Sequence, residues 1–264
     1  MQTQECLTAY LKSRTAEGLA SETIDNYRYK IGKFAREYPE LPEDPETIEE
    51  FLGSFKNHGN KDTYFRNLRT FYKFCCKRAF IKTNPMALIP APRLPKKWSR
   101  SFTDEELKTV LTHSKQSEEL RAFVWLIADT GMRLSEALSV TAESFKDGMV
   151  VIDGKVGERL TPVSPMVQSM VESVLPWPWH HRHTAGQAIR RAFKRAGVNG
   201  SRASAHSLRH TFVRNWNGDE SVLVDCVGWT SPKMLKVYKP FSTQRAINQH
   251  KLNTPVMKAL QVKF

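Results

Sequence analysis

The sequence predicts a mainly α protein in two parts, the first all-helical and the second mostly helical with one small antiparallel β-sheet. Three observations lead there. Apolar residues recur every three or four positions along most of the chain. One segment alternates like a pair of strands joined by a turn. A stretch rich in proline and basic residues interrupts the pattern near residue 92. At 264 residues and 40% hydrophobic content, the chain can build two ordinary cores.

Leu7, Tyr10 and Leu11 open the first helix. Ile24, Tyr27, Ile31 and Phe34 make the stripe of a second, with Ser21 expected to cap it. Asp44 followed by Pro45 starts a third, since proline's fixed φ suits a first turn and its missing N–H costs nothing there. Ile48, Phe51, Leu52 and Phe55 are its buried stripe. A fourth helix turns Tyr64, Leu68, Phe71, Tyr72 and Cys75 inward, while Arg66, Arg69, Lys73 and Lys77, at i, i+3, i+7 and i+11, share another face. The segment IPAPRLPKKWSRS over 89–101 then reads as a stiff cationic linker. The expected division is 1–92, a linker 93–100, and 101–264.

In the second part Thr103 and Glu106 form a capping box ahead of Leu107, Val110 and Leu111. A buried helix over 120–128 follows, stopped at Gly131. MVVIDGKVGERLTPV over 149–163 is the strand–turn–strand, with Asp153-Gly154 at its bend. After Pro176 the chain is expected to be helical to its end, closing on a tail helix that Thr254-Pro255 starts and that Val256, Met257 and Leu260 make apolar on one side.

The charge narrows the partner. Forty Lys and Arg against 27 Asp and Glu give a net charge of +13. A protein this basic is expected to meet a polyanion, nucleic acid first; the plain alternative is a solubilising surface. Over 173–218 there is no acidic residue, yet Arg182, Arg190, Arg191, Lys194, Arg195, Arg202, Arg209 and Arg214 all fall there. A one-sign block of that kind suits a phosphate-facing surface. The acid-free stripe of the fourth helix fits the same reading beside that of a solvated face. Cys6, Cys75, Cys76 and Cys226 have no metal-ligand spacing and are expected to be reduced, buried thiols. No apolar leader or membrane-length window is present, so a cytosolic location is expected.

Four segments hold residue types suited to phosphate chemistry. In TGMRLSEAL (130–138) Gly131 ends one helix and Arg133 opens the next, with Glu136 one turn on to hold the guanidinium; alone this could be an ordinary surface ion pair. In AHSLRHT (205–211) a helix puts His206, Arg209 and His210 on one face. A zinc pair is the other reading, disfavoured by the arginine between the histidines and the lack of a third ligand. His180, His181 and His183 are read as part of the basic surface on the same ground. Lys155 sits at the hairpin tip, and VGWTSPKMLKVY (227–238) ends on Tyr238 in a short helix started at Ser231-Pro232. Each has a bland reading: a core aromatic for Tyr238, a solvated lysine for Lys155.

Together, TGxRxSE, a GK-containing hairpin with ER leading its second strand, HxLRH, and GW with a tyrosine nine residues later resemble the tyrosine recombinase (phage integrase) family in its short form without an arm-binding domain. The resemblance covers nearly the whole chain. It implies a helical core-binding domain at 1–92 and a catalytic domain at 101–264, closing as a C-shaped clamp on DNA. It makes Arg133, Lys155, His206, Arg209 and Trp229 the active-site set and Tyr238 the nucleophile, with Glu136 and His210 in support. Expected on DNA are Arg66, Arg69, Lys73, Lys77, Arg93, Lys96, Lys97, Arg190, Arg191 and Lys194. Three departures stand out: Trp at 229 where most members carry His, a hairpin turn one residue short, and Ser207 where Asp is frequent.

The chemistry fits the residue types. Two guanidiniums can neutralise the charge that develops on non-bridging phosphate oxygens. His206 and the indole N–H of Trp229 add donors, and that indole nitrogen cannot act as a base. Tyr238 attacks to give a 3′-phosphotyrosyl link while Lys155 protonates the leaving 5′ oxygen. No cofactor, ATP or metal is expected. Expected partners are double-stranded DNA at specific sites, other copies of the chain as a tetramer on DNA, and accessory DNA-bending factors, with no membrane. The activity implied is integration and excision of a phage or mobile-element genome. The alternatives are Xer-like chromosome or plasmid dimer resolution, a type IB topoisomerase-like enzyme, a non-catalytic DNA-binding module, and a metal-dependent nuclease using His206 and His210.

Overall fold

The structure, a computed structural model, describes residues 1–95, 101–154, 157–231 and 235. It divides into two compact units, Met1–Lys97 and Trp98–Phe264.

Among its described residues the first unit has four α-helices, α1 (Thr3–Ala16), α2 (Ser21–Glu37), α3 (Pro45–Gly53) and α4 (His58–Lys77), and one 3-10 turn at Pro85–Ala87. The Asp44 carboxylate accepts from the Thr47 N–H at 2.8 Å and so caps α3. Ser21 does not cap α2. The helix starts one residue earlier, where the Ala20 carbonyl accepts from Thr23 and Ile24, and Ser21 falls inside the first turn. Phe55 lies beyond the end of α3 and covers the core from there, stacked on Tyr64 with centroids 4.2 Å apart. Tyr10, Phe34, Phe51, Phe71 and Tyr72 fill the interior largely edge-to-face, each such pair adding about 1 kcal/mol beyond its burial. The hydroxyls stay satisfied: Tyr72 donates to Pro42 O at 2.9 Å and Tyr10 to Thr70 Oγ1 at 3.0 Å. Cys6, Cys75 and, in the second unit, Cys226 are buried; Cys76 is only half-buried, because it sits at the edge of the α4 apolar stripe.

The second unit contains α5 (Asp104–Thr112), α6 (Glu118–Thr130), α7 (Leu134–Leu138), strands β1 (Phe145–Lys146), β2 (Met149–Gly154) and β3 (Gly157–Pro162), then α8 (Pro165–Glu172), α9 (Arg182–Arg195), α10 (Ala205–Asn215) and α11 (Glu220–Val227). The fold is thus mainly α with one three-stranded antiparallel sheet, ordered β1-β2-β3. The Thr103–Glu106 capping box forms in both directions, at 3.2 and 2.9 Å. Gly131 ends α6 at φ 65°, where a Cβ would stand 2.3 Å from the Phe212 ring. Only glycine takes that backbone freely.

The hairpin bend falls further along than expected. Asp153 pairs with Glu158 and Gly154 with Gly157, so both expected bend residues are strand. Lys155 itself lies outside the described residues. So do Lys96, Lys97, Tyr238 and the tail helix expected from Thr254. β1 and α8 were not anticipated; β1 has two residues, and α8 buries only Val167 and Val171. The core gathers α6, β2, α9 and α10 through Phe123, Ile127, Val150, Ile152, Ile189, Phe193 and Leu208. A smaller cluster of Val213, Leu223, Val227 and Leu235 lies beside Trp229. Among the described residues no helix is long and apolar enough to cross a membrane.

Candidate active site

Arg133 is the N-cap of α7, in extended conformation at φ −77° and ψ 155°. The Glu136 carboxylate holds it twice: Oε2 accepts from the Arg133 backbone N–H at 2.6 Å and Oε1 from Nη1 at 2.7 Å. α7 has only five residues and the first N–H is already taken, so the positive charge at this corner is the guanidinium's rather than a helix dipole's. The pair is not a surface one. The Glu136 side chain is 4% exposed and also takes Arg159, with Nη2 on Oε2 at 2.7 Å and Nη1 on Oε1 at 3.2 Å. Burial pushes the carboxyl upward, but hydrogen bonds from Arg159 and Arg133 outweigh it and bring the pKa down to about 2.

Arg209 on α10 is 1% exposed. Its Nη1 donates to Gly131 O at 2.8 Å and its Nη2 to Val227 O at 2.7 Å. It therefore ties the end of α6, two residues before Arg133, to the end of α11, two residues before Trp229. The Trp229 ring centroid lies 5.9 Å from the Arg209 guanidinium carbon, within cation–π range. Gly228, left-handed at φ 64°, turns the chain out of α11 into Trp229, whose backbone N–H donates to Val224 O at 3.0 Å.

His206 is exposed near the start of α10, edge-to-face with His210 at 4.7 Å between centroids. It lines a cleft of about 530 Å³ together with Arg133, Arg182, His183, Gln187 and Arg190. Arg133 also lines a second cleft of about 220 Å³ with Arg159, Asp225 and Trp229. Four of the six expected site residues are thus brought to one region, with Arg133 common to both clefts. Lys155 and Tyr238 are the two outside the described residues.

The cations expected on DNA are exposed wherever they are described: Arg66, Arg69, Lys73 and Lys77 on α4, Arg93, and Arg190, Arg191 and Lys194 on α9. Arg66 is partly neutralised, its Nε 3.0 Å from Asp62, which lies just before the acid-free stripe. The acid-free block 173–218 is not one surface. Arg209 is buried, Arg202 pairs with Glu106, and Arg214 donates to Ser101 Oγ and Phe102 O. The partners of Arg202 and Arg214 come from the start of the unit, remote in sequence.

Residues 100–245, over half of the chain, match the sequence model of the phage integrase family. The chain belongs to this family. Its class of activity is that of the tyrosine recombinases, which cleave and rejoin DNA in site-specific recombination. The chain is similar to tyrosine recombinase XerD of Shewanella oneidensis, 26% identical over 219 residues that span 72% of this chain and 73% of that protein. XerD of Yersinia pestis is 23% identical in an alignment of 276 positions that covers 90% of this chain and 92% of that one. In fold it resembles the lambda integrase dimer bound to a COC' core site, with TM-score 0.79, 18% identity, and coverage of 90% of this chain and 77% of that one.

Arg159, the arginine of the ER pair that leads the second strand, was given no role from the sequence, although β3 carried a sign of one. Arg159 and Thr161 occupy the inward register opposite Ile152 and Val150, while apolar Leu160 points out and is 53% exposed. A strand with its polar and apolar positions inverted is built around a polar anchor. Here the anchor is Cys226 O, which accepts from Arg159 Nε at 2.9 Å and Thr161 Oγ1 at 2.8 Å.

Proposed function

We propose that this phage integrase family member cuts and rejoins DNA at specific sites through a 3′-phosphotyrosyl intermediate on Tyr238, integrating and excising a phage or mobile-element genome. What carries the reading is Arg209 Nη1 on the carbonyl of Gly131 at 2.8 Å, which seats the second guanidinium against the turn that presents Arg133. Two arginines on one phosphate match the charge that grows on the non-bridging oxygens as phosphorus becomes five-coordinate. His206 and Trp229 contribute further donors. The Tyr238 oxygen bonds to phosphorus, the 5′ oxygen leaves, and Lys155 gives that oxygen its proton. A 5′ hydroxyl from the partner duplex then reverses the step, so one phosphoester replaces another and no ATP is consumed. The α4 cations, Arg93, Lys96, Lys97, Arg190, Arg191 and Lys194 hold the duplex backbone. Four copies on two duplexes, with accessory DNA-bending factors, complete the exchange.

Likeness to XerD over 72% of the chain favours a second reading, dimer resolution of a chromosome or plasmid. A nicked suicide substrate traps the adduct, and sequencing the captured DNA separates the two: integration joins two unlike sites, dimer resolution two identical ones. The adduct is expected at one sequence and is expected to persist in EDTA. Cleavage that needs a divalent ion and leaves no protein on the DNA would instead establish a nuclease, and sequence-independent relaxation of supercoils a topoisomerase-like enzyme.

A further inference from the structure

Arg159 is 10% exposed, and its guanidinium makes three bonds: two to Glu136 and one from Nε to Cys226 O at 2.9 Å. Two glycines leave room for it. A Cβ at Gly154 would stand 2.7 Å from Arg159 Nη1, and one at Gly228 3.0 Å from its Cδ. The side chain is therefore wedged between the residue before Lys155 and the residue before Trp229. Glu136 in turn shares its oxygens between two arginines. Oε1 takes Arg133 Nη1 and Arg159 Nη1; Oε2 takes the Arg133 backbone N–H and Arg159 Nη2.

We propose that Arg159 is a positioning residue that sets how Arg133 meets the scissile phosphate, an inference that rests on the strand-transfer reading above. A carboxylate and a guanidinium prefer a two-point, fork-to-fork pair. With Arg159 occupying both Glu136 oxygens, Arg133 is confined to one side-chain bond with that carboxylate, and the rest of its fork is left for the phosphate. Without Arg159, the buried Glu136 charge draws in both terminal nitrogens of Arg133 and turns the fork away. The role depends on the forked shape as well as the charge, because a lysine ammonium cannot span the two oxygens and Cys226 O together.

The test compares single-turnover cleavage of an ordinary scissile phosphodiester with that of a methylphosphonate at the same position. The methylphosphonate replaces a charged non-bridging oxygen by a neutral methyl, so much less charge is left for Arg133 to counter. Arg133→Ala is the reference, and binding and thermal melting are measured in parallel. Arg159→Met and Arg159→Lys are expected to bind DNA like the wild type and to cleave the phosphodiester on the order of a hundredfold more slowly, the cost of one misplaced oxyanion donor. On the methylphosphonate most of that deficit disappears, as for Arg133→Ala. Gly154→Ala, which keeps every partner but puts a Cβ where Arg159 Nη1 sits, shows the same substrate-dependent pattern more weakly. Equal slowing on both substrates, or wild-type cleavage by Arg159→Lys, would overturn the positioning role while leaving the strand-transfer reading intact. A wild-type protein that forms no adduct on either substrate would overturn both.

Discussion

Replacing Glu136 by Gln removes a buried negative charge from between Arg133 and Arg159. The carboxyl's folded pKa of about 2 lies below the ordinary 4.5. Its stabilisation is therefore fully present above about pH 4.5 and is lost as the pH falls from there towards 2. Glu136→Gln is expected to be less stable at neutral pH by on the order of 3 kcal/mol, since a buried guanidinium loses its counter-charge. Denaturant melts at a series of pH values should bring the two proteins' stabilities together towards pH 2. Parallel curves across that window would show that the carboxylate's charge contributes nothing. At Trp229, His is expected to keep considerable activity, because it also donates a hydrogen bond, while Phe loses more. Wild-type cleavage by Trp229→Phe beside an inactive Trp229→His would assign the residue to its ring face over Arg209 instead. Arg133, Glu136, His206 and Arg209 were legible because their spacing is local. Arg159 was not, because its partners Glu136 and Cys226 lie on separate elements and only tertiary structure brings them to β3.

Among elements, local chemistry was the readable part. Asp44 before Pro45, the Thr103–Glu106 box and the Gly131 stop each place a donor or acceptor within one turn of the group it satisfies, and each forms as expected. The misses have two causes. β1 has two residues and α8 eight, too few for a period to emerge. Asp153-Gly154 is a turn-favouring pair, yet the sheet register continues through it to Gly157. For α4, Arg66, Arg69 and Lys73 replaced together by Ala should weaken DNA binding and flatten the log–log salt plot by about two to three units, roughly one for each phosphate left without its cation. Arg66 should contribute least, given its bond to Asp62. Cleavage within fully bound complexes should be unchanged. An unaltered salt slope would remove α4 from the DNA-facing surface.

For the molecule as a whole, the net charge of +13 pointed to a polyanion, but it did not reveal which cations face outward. From the most basic stretch only Arg209 of these is buried, while Arg202 pairs with Glu106 and the exposed Arg214 donates to Phe102 O, so neither charge is wholly free for a partner. Helical class, the hairpin and the site motifs were readable because each repeats or clusters along the chain; the way Arg209 joins the ends of α6 and α11 was not. Wild-type binding should be strongly electrostatic, falling on the order of a thousandfold between about 50 and 200 mM salt if six or more phosphates are neutralised. The central claim is the covalent step, and one measurement reaches it most directly. Wild-type protein and Tyr238→Phe, which lacks only the hydroxyl, are incubated with the nicked suicide substrate and resolved in SDS. The wild type should give a protein–DNA band that survives the detergent, and the Phe variant should bind the same DNA in a native gel yet give none. A detergent-resistant band from Tyr238→Phe would show that another residue is the nucleophile.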